Sequence, residues 1–298
     1  MLLTQLTYFE ALAREQHFGH AAASCYVSTS TLSEAIRKLE AEVGFPLVNR
    51  GKSAFQGITQ EGEIVLAYAR RILSEQRSLS LDLAHRRGNL EGTVRFGTIP
   101  SGTDRAAGIV SNLVGEHPAL RVDLVAGLTS EEIVTRVLDH DFDAGIVHPH
   151  GSAARAGRHD PALTFTSLGT TRFVAVGRPG LLDGFGGQVT GAELASLPTA
   201  LLSRGMVARE EFDRVMGEAG VQVTPGVDAT SVESLLALAR TGTWAVVVPA
   251  PAVGTTRLTT LPIVEPEVRL DLALVRRDSR PAPVLSAAFD AAAEATVS

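Results

Sequence analysis

The chain has one cysteine, no long apolar run and no net positive charge, and each shortage closes off a class of function. A single thiol, Cys25, leaves no internal disulfide to form. It falls in an alanine-rich stretch where a small buried side chain is wanted, whereas a redox sensor needs an exposed thiol of low pKa. No segment holds the roughly 18 uninterrupted apolar residues of a membrane-spanning helix. The opening MLLTQLTYFEALAREQ carries acids where a signal peptide would be basic and then apolar, so a cytoplasmic protein with no membrane partner is expected. A net charge of -6 argues against nonspecific binding to polyanions. A nucleophile elbow, a phosphate-binding glycine loop and a triad arrangement are all missing. No catalytic residue and no cofactor are therefore expected, and the chain does not read as an enzyme.

What is present points to several folded parts. At 298 residues the chain is too long for one ordinary core. An apolar share of 45% with 20% charged residues describes a globular protein able to bury a sizeable core. Charge is uneven: residues 1–92 carry 10 basic and 10 acidic side chains, and residues 93–298 carry 17 against 23. Between Val43 and Thr59 the charged residues are Arg50 and Lys52, both basic.

The most informative stretch runs from His17 to Glu42, two short helical patterns hinged at Val27 and Ser28. Phe18, Ala22 and Ala23 offer one helix a small apolar face, and Leu32, Ile36, Leu39 and Val43 offer the next a stripe at three-to-four spacing. Ser28 is placed to cap the second helix. Thr29, Ser30, Thr31, Ser33 and Glu34 then form its polar leading edge, as in a helix-turn-helix. A generic pair of packed helices remains the alternative.

Before this pair, Leu3, Leu6, Phe9 and Leu12 predict an amphipathic helix that packs beneath it. After it, Gly44 and Pro46 end the helix. Leu47-Val48 and Phe55 to Ile58 then read as two short strands around a loop, a wing that carries Arg50 and Lys52 toward phosphates. From Thr59 a long helix begins. Its residues Val65, Ala69, Ile72, Gln76, Leu79 and Leu83 follow heptad spacing for about three heptads, as a dimerising helix would. An ordinary amphipathic helix stays open as the alternative.

From Gly92 the pattern changes to alternating strands and helices. Strands are expected at 93–98, 122–125, 143–147, 173–176, 199–202, 245–248 and 270–275. Helices are expected at 104–116, 207–219, 231–241 and 283–296, with one more begun by a capping box at Thr129 and Glu132 and ending near Asp139. Such an order means an α/β domain with mainly parallel sheet, which binds small ligands where strands end and helix N-termini point.

These parts together resemble LysR-type transcriptional regulators over essentially the whole chain. The resemblance is carried by LTYFEALA, FGHAAASCYVSTSTLSEAIRKLEAEVGFPLVNR and ITQEGE at the N-terminus. Further on it is carried by TIPSG, EHPALRVDLVAG, DFDAGIV and GTWAVVVP. It implies a winged helix-turn-helix over 1–59, a linker and dimerisation helix over 60–88, and a two-lobed, periplasmic-binding-protein-like effector domain over 90–298. Lobe I would take about 90–168 and 270–298, and lobe II about 169–269. It also implies double-stranded promoter DNA, a small-molecule effector, a homodimer or homotetramer, and RNA polymerase as partners. Two departures stand out: Thr29-Ser30 replaces the usual Gln-Pro or Gln-Ser, and Glu34 stands where a basic or amide residue is usual.

On this resemblance, Thr29, Ser30, Thr31, Ser33 and Glu34 approach base edges, while His20, Arg37, Lys38, Arg50 and Lys52 position the duplex; capping or solvent exposure is the plainer role for each. The effector would meet Ser101, Gly102 and Thr103 at one helix start, Thr129 and Ser130 at another, and His148, Ser203 and Arg204 beyond strand ends. Paired helix N-termini suggest a small carboxylate. Trp244, the single tryptophan, either lines the cleft or fills a lobe core. A rival reading takes the run His140, Asp141, Asp143, His148, His150 and His159 as a metal site or an enzyme's centre. Its spacings match no metal motif, and no metal is expected.

Overall fold

The computed structural model describes residues 1–50, 55–87, 90–149, 161–278 and 283–297. The chain divides into two units, one made of Met1–Asn89 with Asp139–Asp141 and a second made of Leu90–Leu138 with Phe142–Ser298.

The first unit is a helical bundle with a two-stranded wing. Helices α1 (Leu3–Glu15), α2 (Phe18–Ser24) and α3 (Thr29–Val43) precede strands β1 (Val48–Arg50) and β2 (Phe55–Ile58), and α4 (Gln60–Arg86) follows. Leu6, Phe9 and Leu12 of α1 pack with Leu32, Ile36 and Leu39 of α3, while Leu3 stays exposed. On α2 the buried pair is Ala21 and Ala22, not Ala22 and Ala23. A helix turns about 100° per residue, so Phe18, Ala21, Ala22 and Cys25 share a face that Ala23 leaves.

Capping follows the sequence closely. Ser28 Oγ accepts from the Thr31 N–H at 3.1 Å, and Gly44 closes α3 with φ of 82°. Thr59 Oγ1 accepts from the Gly62 N–H at 2.9 Å and donates to the Pro46 carbonyl at 2.7 Å, which fastens α4 to the wing. A β-carbon on Gly62 would stand 2.2 Å from the Leu47 carbonyl oxygen, so only glycine permits this approach.

The expected heptad row on α4 is divided between two faces. Val65 and Ala69 belong to the unit's own core beside Leu66 and Leu73. Ile72, Leu79 and Leu83 lie instead on an exposed row with Ile64 and Tyr68. The first half of the helix thus serves as a fourth bundle helix, which draws one face of the pattern inward.

The second unit holds strands β3 (Gly92–Thr98), β4 (Leu120–Ala126), β5 (Ala144–Val147), β6 (Leu163–Gly177), β7 (Val189–Thr190), β8 (Thr199–Leu202), β9 (Val227–Ala229), β10 (Ala245–Pro249), β11 (Thr259–Val264) and β12 (Arg269–Arg277). Helices α5 (Thr103–Glu116), α6 (Ser130–Leu138), α7 (Gly191–Ala195), α8 (Val207–Glu218), α9 (Val232–Thr241) and α10 (Val284–Val297) complete it. The main path of strands is β4-β3-β5-β12-β6-β10-β8-β9. Both flanks are parallel, as expected, but the middle is antiparallel, because β12 runs against β5 and β6, and β6 runs against β10.

The 15-residue strand β6 was expected to be four residues long. It pairs with β12 as far as Arg172, and with β10 and β11 from Phe173 onward. One strand therefore passes through both lobes. Each lobe has its own core: Phe96 stacks on Phe289 at 5.4 Å in the first, and Phe173, Phe212, Leu235 and Val246 lie in the second. No described helix is long and apolar enough to cross a membrane.

Candidate functional site

In the first unit the candidate residues gather at the start of α3. Thr29, Ser30, Thr31, Glu34, Arg37 and Lys38 are exposed, Ser33 is half-buried, and His20 of α2 is exposed. Ser28 Oγ lies 2.8 Å from both Ser30 Oγ and Thr31 Oγ1, so a chain of hydroxyls runs along the first turn. Glu34 and Lys38 form an ion pair at 2.9 Å with both side chains 68% exposed. Lys38 holds the Glu34 carboxyl below its usual range, first by hydrogen bonding and then by charge. Arg50 belongs to β1 and its side chain lies outside the described residues, as does Lys52.

Two residues here escaped the sequence reading. His17 caps α2, its Nδ1 accepting from the Gly19 and His20 N–H groups at 3.1 and 3.3 Å, and its ring lies 4.5 Å from that of His20. Tyr26 sits in the turn at φ of 56° with 96% of its surface exposed. A left-handed tyrosine is uncommon, and no sequence period reveals one. Cys25 caps the end of α2, and partial burial pushes its thiol above the ordinary range, away from a reactive thiolate.

In the second unit a cavity of about 120 Å³ opens where four helices begin. Ile99, Pro100 and Ser101 lead into α5; Leu128, Thr129, Ser130 and Glu131 open α6; Met206, Val207 and Ala208 open α8; and Val232 opens α9. His148, Leu202, Gly205 and Pro249 complete the wall. No Lys or Arg is among these lining residues, and Glu131 supplies the formal charge.

His148 is the hub of the polar wall. It is 5% exposed, its N–H donates to Ser130 Oγ at 3.0 Å, its Nδ1 lies 2.9 Å from the Asp271 carbonyl, and its Nε2 lies 2.8 Å from Ser101 Oγ. Thr129 and Glu132 form the expected capping box: the Thr129 N–H and hydroxyl donate to the Glu132 carboxylate at 2.8 and 2.9 Å, and hold its carboxyl below the usual range.

The other expected cleft residues lie elsewhere. Gly102 sits behind the wall, where a β-carbon would press within 2.8 Å of Ile146 and Thr98. Thr103 lines a neighbouring recess with Asp104 and Glu233. Arg204 borders a separate pocket beside Arg209, and Ser203 is engaged through its backbone with the Ala229 carbonyl. Trp244 packs its ring over Gly226 at the second lobe's core and does not line the cavity. The sequence placed the α5 and α6 side of the cleft and missed the apolar side from α8 and α9, because those residues read simply as helix interior.

Among the described residues, no cluster of three His, Cys, Asp or Glu side chains could hold an ion. Asp143 instead accepts from the Arg95 N–H at 2.8 Å, clamping β5 to β3. His150 and His159 lie outside the described residues.

Comparison with known proteins assigns both parts of the chain to one family. Residues 3–63 match the model of the bacterial regulatory helix-turn-helix protein of the lysR family, and residues 87–296 match that of the LysR substrate binding domain. The SDS degradation transcriptional activation protein of Pseudomonas sp. (strain ATCC 19151) is 30% identical over 240 residues, covering 79% of this chain and 75% of that one. The DNA-binding transcriptional dual regulator OxyR of Escherichia coli (strain K12) is 29% identical over 297 residues, covering 94% and 91%. Among solved structures, full-length CbnR with its target DNA superposes with a TM-score of 0.71 at 22% identity, covering 99% of this chain and 100% of that one. A full-length OxyR variant from Pseudomonas aeruginosa, with one cysteine replaced by aspartate, superposes with a TM-score of 0.72 at 24% identity, covering 99% and 95%. With an N-terminal helix-turn-helix domain and a C-terminal effector-binding domain, both matched by family models, the chain belongs to the LysR family and is a DNA-binding transcriptional regulator rather than an enzyme.

Proposed function

We propose that the protein reads promoter DNA with the first turn of α3 and changes its grip when a small molecule occupies the cavity of the second unit. One observation carries the DNA side: the polar groups of Thr29, Ser30, Thr31 and Glu34 are exposed along one capped helix start. On this reading they, with Ser33, face base edges, where hydroxyls donate or accept and a carboxylate accepts from a cytosine amino group. His20, Arg37, Arg50 and Lys52 take phosphates and set the register, with Lys38 held beside them by Glu34.

The exposed row Ile64, Tyr68, Ile72, Leu79 and Leu83 on α4 supports a homodimer formed through this helix. Two dimers joined on one promoter, and contact with RNA polymerase, extend that reading. The effector side rests on the cavity with its mixed wall: Ser101, Ser130 and His148 supply polar atoms, and Ile99, Leu128, Leu202 and Met206 supply apolar surface. A carboxylate bound there would meet helix N–H groups and these neutral polar atoms, since no basic side chain is among the described residues that line the wall. Several relatives are named hydrogen peroxide-inducible genes activators. This chain has a single cysteine, in its helix-turn-helix, so it cannot form a disulfide within itself as a sensing step.

A gel shift with the full-length protein and the DNA upstream of its own coding region tests the proposal. Retardation of that fragment in excess over unrelated DNA of equal length is expected, steeply reduced by salt. Equal retardation of both would overturn the reading of α3.

A further inference from the structure

The wiring of His148 dictates what Ser101 can offer a ligand. A backbone carbonyl only accepts, so the Asp271 carbonyl at 2.9 Å requires a proton on His148 Nδ1. In the neutral ring Nε2 is then the bare nitrogen, and the Ser101 hydroxyl at 2.8 Å donates to it. Ser101 Oγ, on the cavity wall, is left with lone pairs for whatever enters. A ligand that brings a donor keeps every bond. A ligand that brings an anion breaks the bond from Ser101 to His148 or requires the ring to take up a proton.

The charges of the cleft agree independently. The helices that begin there carry their own acids in the first turn: Asp104 on α5, Glu131 and Glu132 on α6, Glu210 on α8 and Glu233 on α9. Their positive ends are thus already met by the chain's own carboxylates. Glu131 lines the cavity itself, and Asp104 and Glu233 line the adjoining recess, with no Lys or Arg among the lining residues of either.

We propose that the effector is a small, mainly apolar molecule that presents a hydrogen-bond donor, an amine or a hydroxyl, to Ser101 Oγ, and that it is not held through a carboxylate. The proposal rests on the reading of this cavity as the effector site. Giving up that one buried hydrogen bond favours a donor over an isosteric anion by roughly 2- to 13-fold.

The test uses full-length protein and three matched probes, butylamine, butanol and butyrate, followed by calorimetry and thermal shift. Butylamine or butanol should bind more tightly than butyrate by a factor of roughly 2 to 13. Preference for the amine over the alcohol identifies a cationic head group, and the reverse order a neutral one. Ser101→Ala should abolish the preference, and His148→Ala, which frees the serine proton, should move it toward butyrate. Nitrogen-15 NMR of histidine-labelled protein, with the His148 signals identified by their loss in His148→Gln, should show protonated Nδ1 and bare Nε2 at neutral pH. A protonated Nε2, tighter binding of butyrate, or no binding of the amine and the alcohol would each overturn the proposal. Butyrate binding that Met206→Trp blocks would sink the donor and leave the cavity standing. Probe binding indifferent to Met206→Trp and Ser101→Ala would sink the cavity reading itself.

Discussion

The ion pair between Glu34 and Lys38 makes a quantitative forecast about DNA binding. Lys38 Nζ lies 2.9 Å from Glu34 Oε1 on the exposed face of α3, so without DNA the glutamate holds the lysine's charge. Because Lys38 keeps the Glu34 carboxyl below its ordinary range, the carboxylate stays charged through neutral and mildly acidic conditions. Replacing Glu34 by Gln releases the lysine toward a phosphate. Each added phosphate contact steepens the slope of log affinity against log salt by about 0.9, which is about 3.5-fold more loss of affinity between 50 and 200 mM salt. Fluorescence anisotropy with a labelled operator, repeated over that range, reads the slope directly. Glu34→Gln should be steeper than the parent by about one contact, and the double variant Glu34→Gln with Lys38→Gln should return to the parent slope. An unchanged slope in Glu34→Gln would refute the ion-pair reasoning and leave base contact as the glutamate's remaining role.

Other outcomes follow from the same physical chemistry. Arg50→Ala should weaken binding to every sequence and flatten the salt slope by about 0.9 in gel shifts; a change confined to one base preference would contradict a phosphate role. Leu79→Glu, which places charge on the exposed row of α4, should shift sedimentation toward the monomer without lowering helical circular dichroism. Glu132→Gln should lower the thermal stability of the second unit by about 1 kcal/mol or less at neutral pH, the scale of a partly solvated cap. The sign follows from the depressed carboxyl: its contribution is present above the ordinary carboxylate range and fades as pH falls through the folded-state value, so parent and variant melting curves should converge in acid. Persistent separation at low pH would mean that the lost bonds did not depend on the carboxylate.

Much of this molecule is legible in its residues because the relevant forces are local. The Ser28 cap, the Gly44 stop, the Thr59 start of α4 and the Thr129–Glu132 box are each decided within four residues, and each is found where the side chains called for it. The apolar spacings of α1 and α3 likewise mark the faces that are buried. The turn proposed to face DNA shares this property, since a capped helix start displays its own consecutive side chains.

What local pattern could not decide was everything that needs a distant partner. The row on α4 divides because Val65 and Ala69 find a core in the bundle, whereas Leu79 and Leu83 find none among the described residues. Strand β6 reads as half-polar, yet it extends to 15 residues because β12, β10 and β11 complete its hydrogen bonds from remote sequence. The cavity shows the same limit. Ser101, Thr129, Ser130 and His148 could be named from helix starts and a strand end, but that His148 joins Ser101 to the Asp271 carbonyl depends on residues 123 positions apart. Composition and spacing determined a helix-turn-helix followed by an α/β sensor. Only tertiary structure decided which atoms of the sensor face a ligand, because the direction of a shared proton is set by whatever stands on its far side.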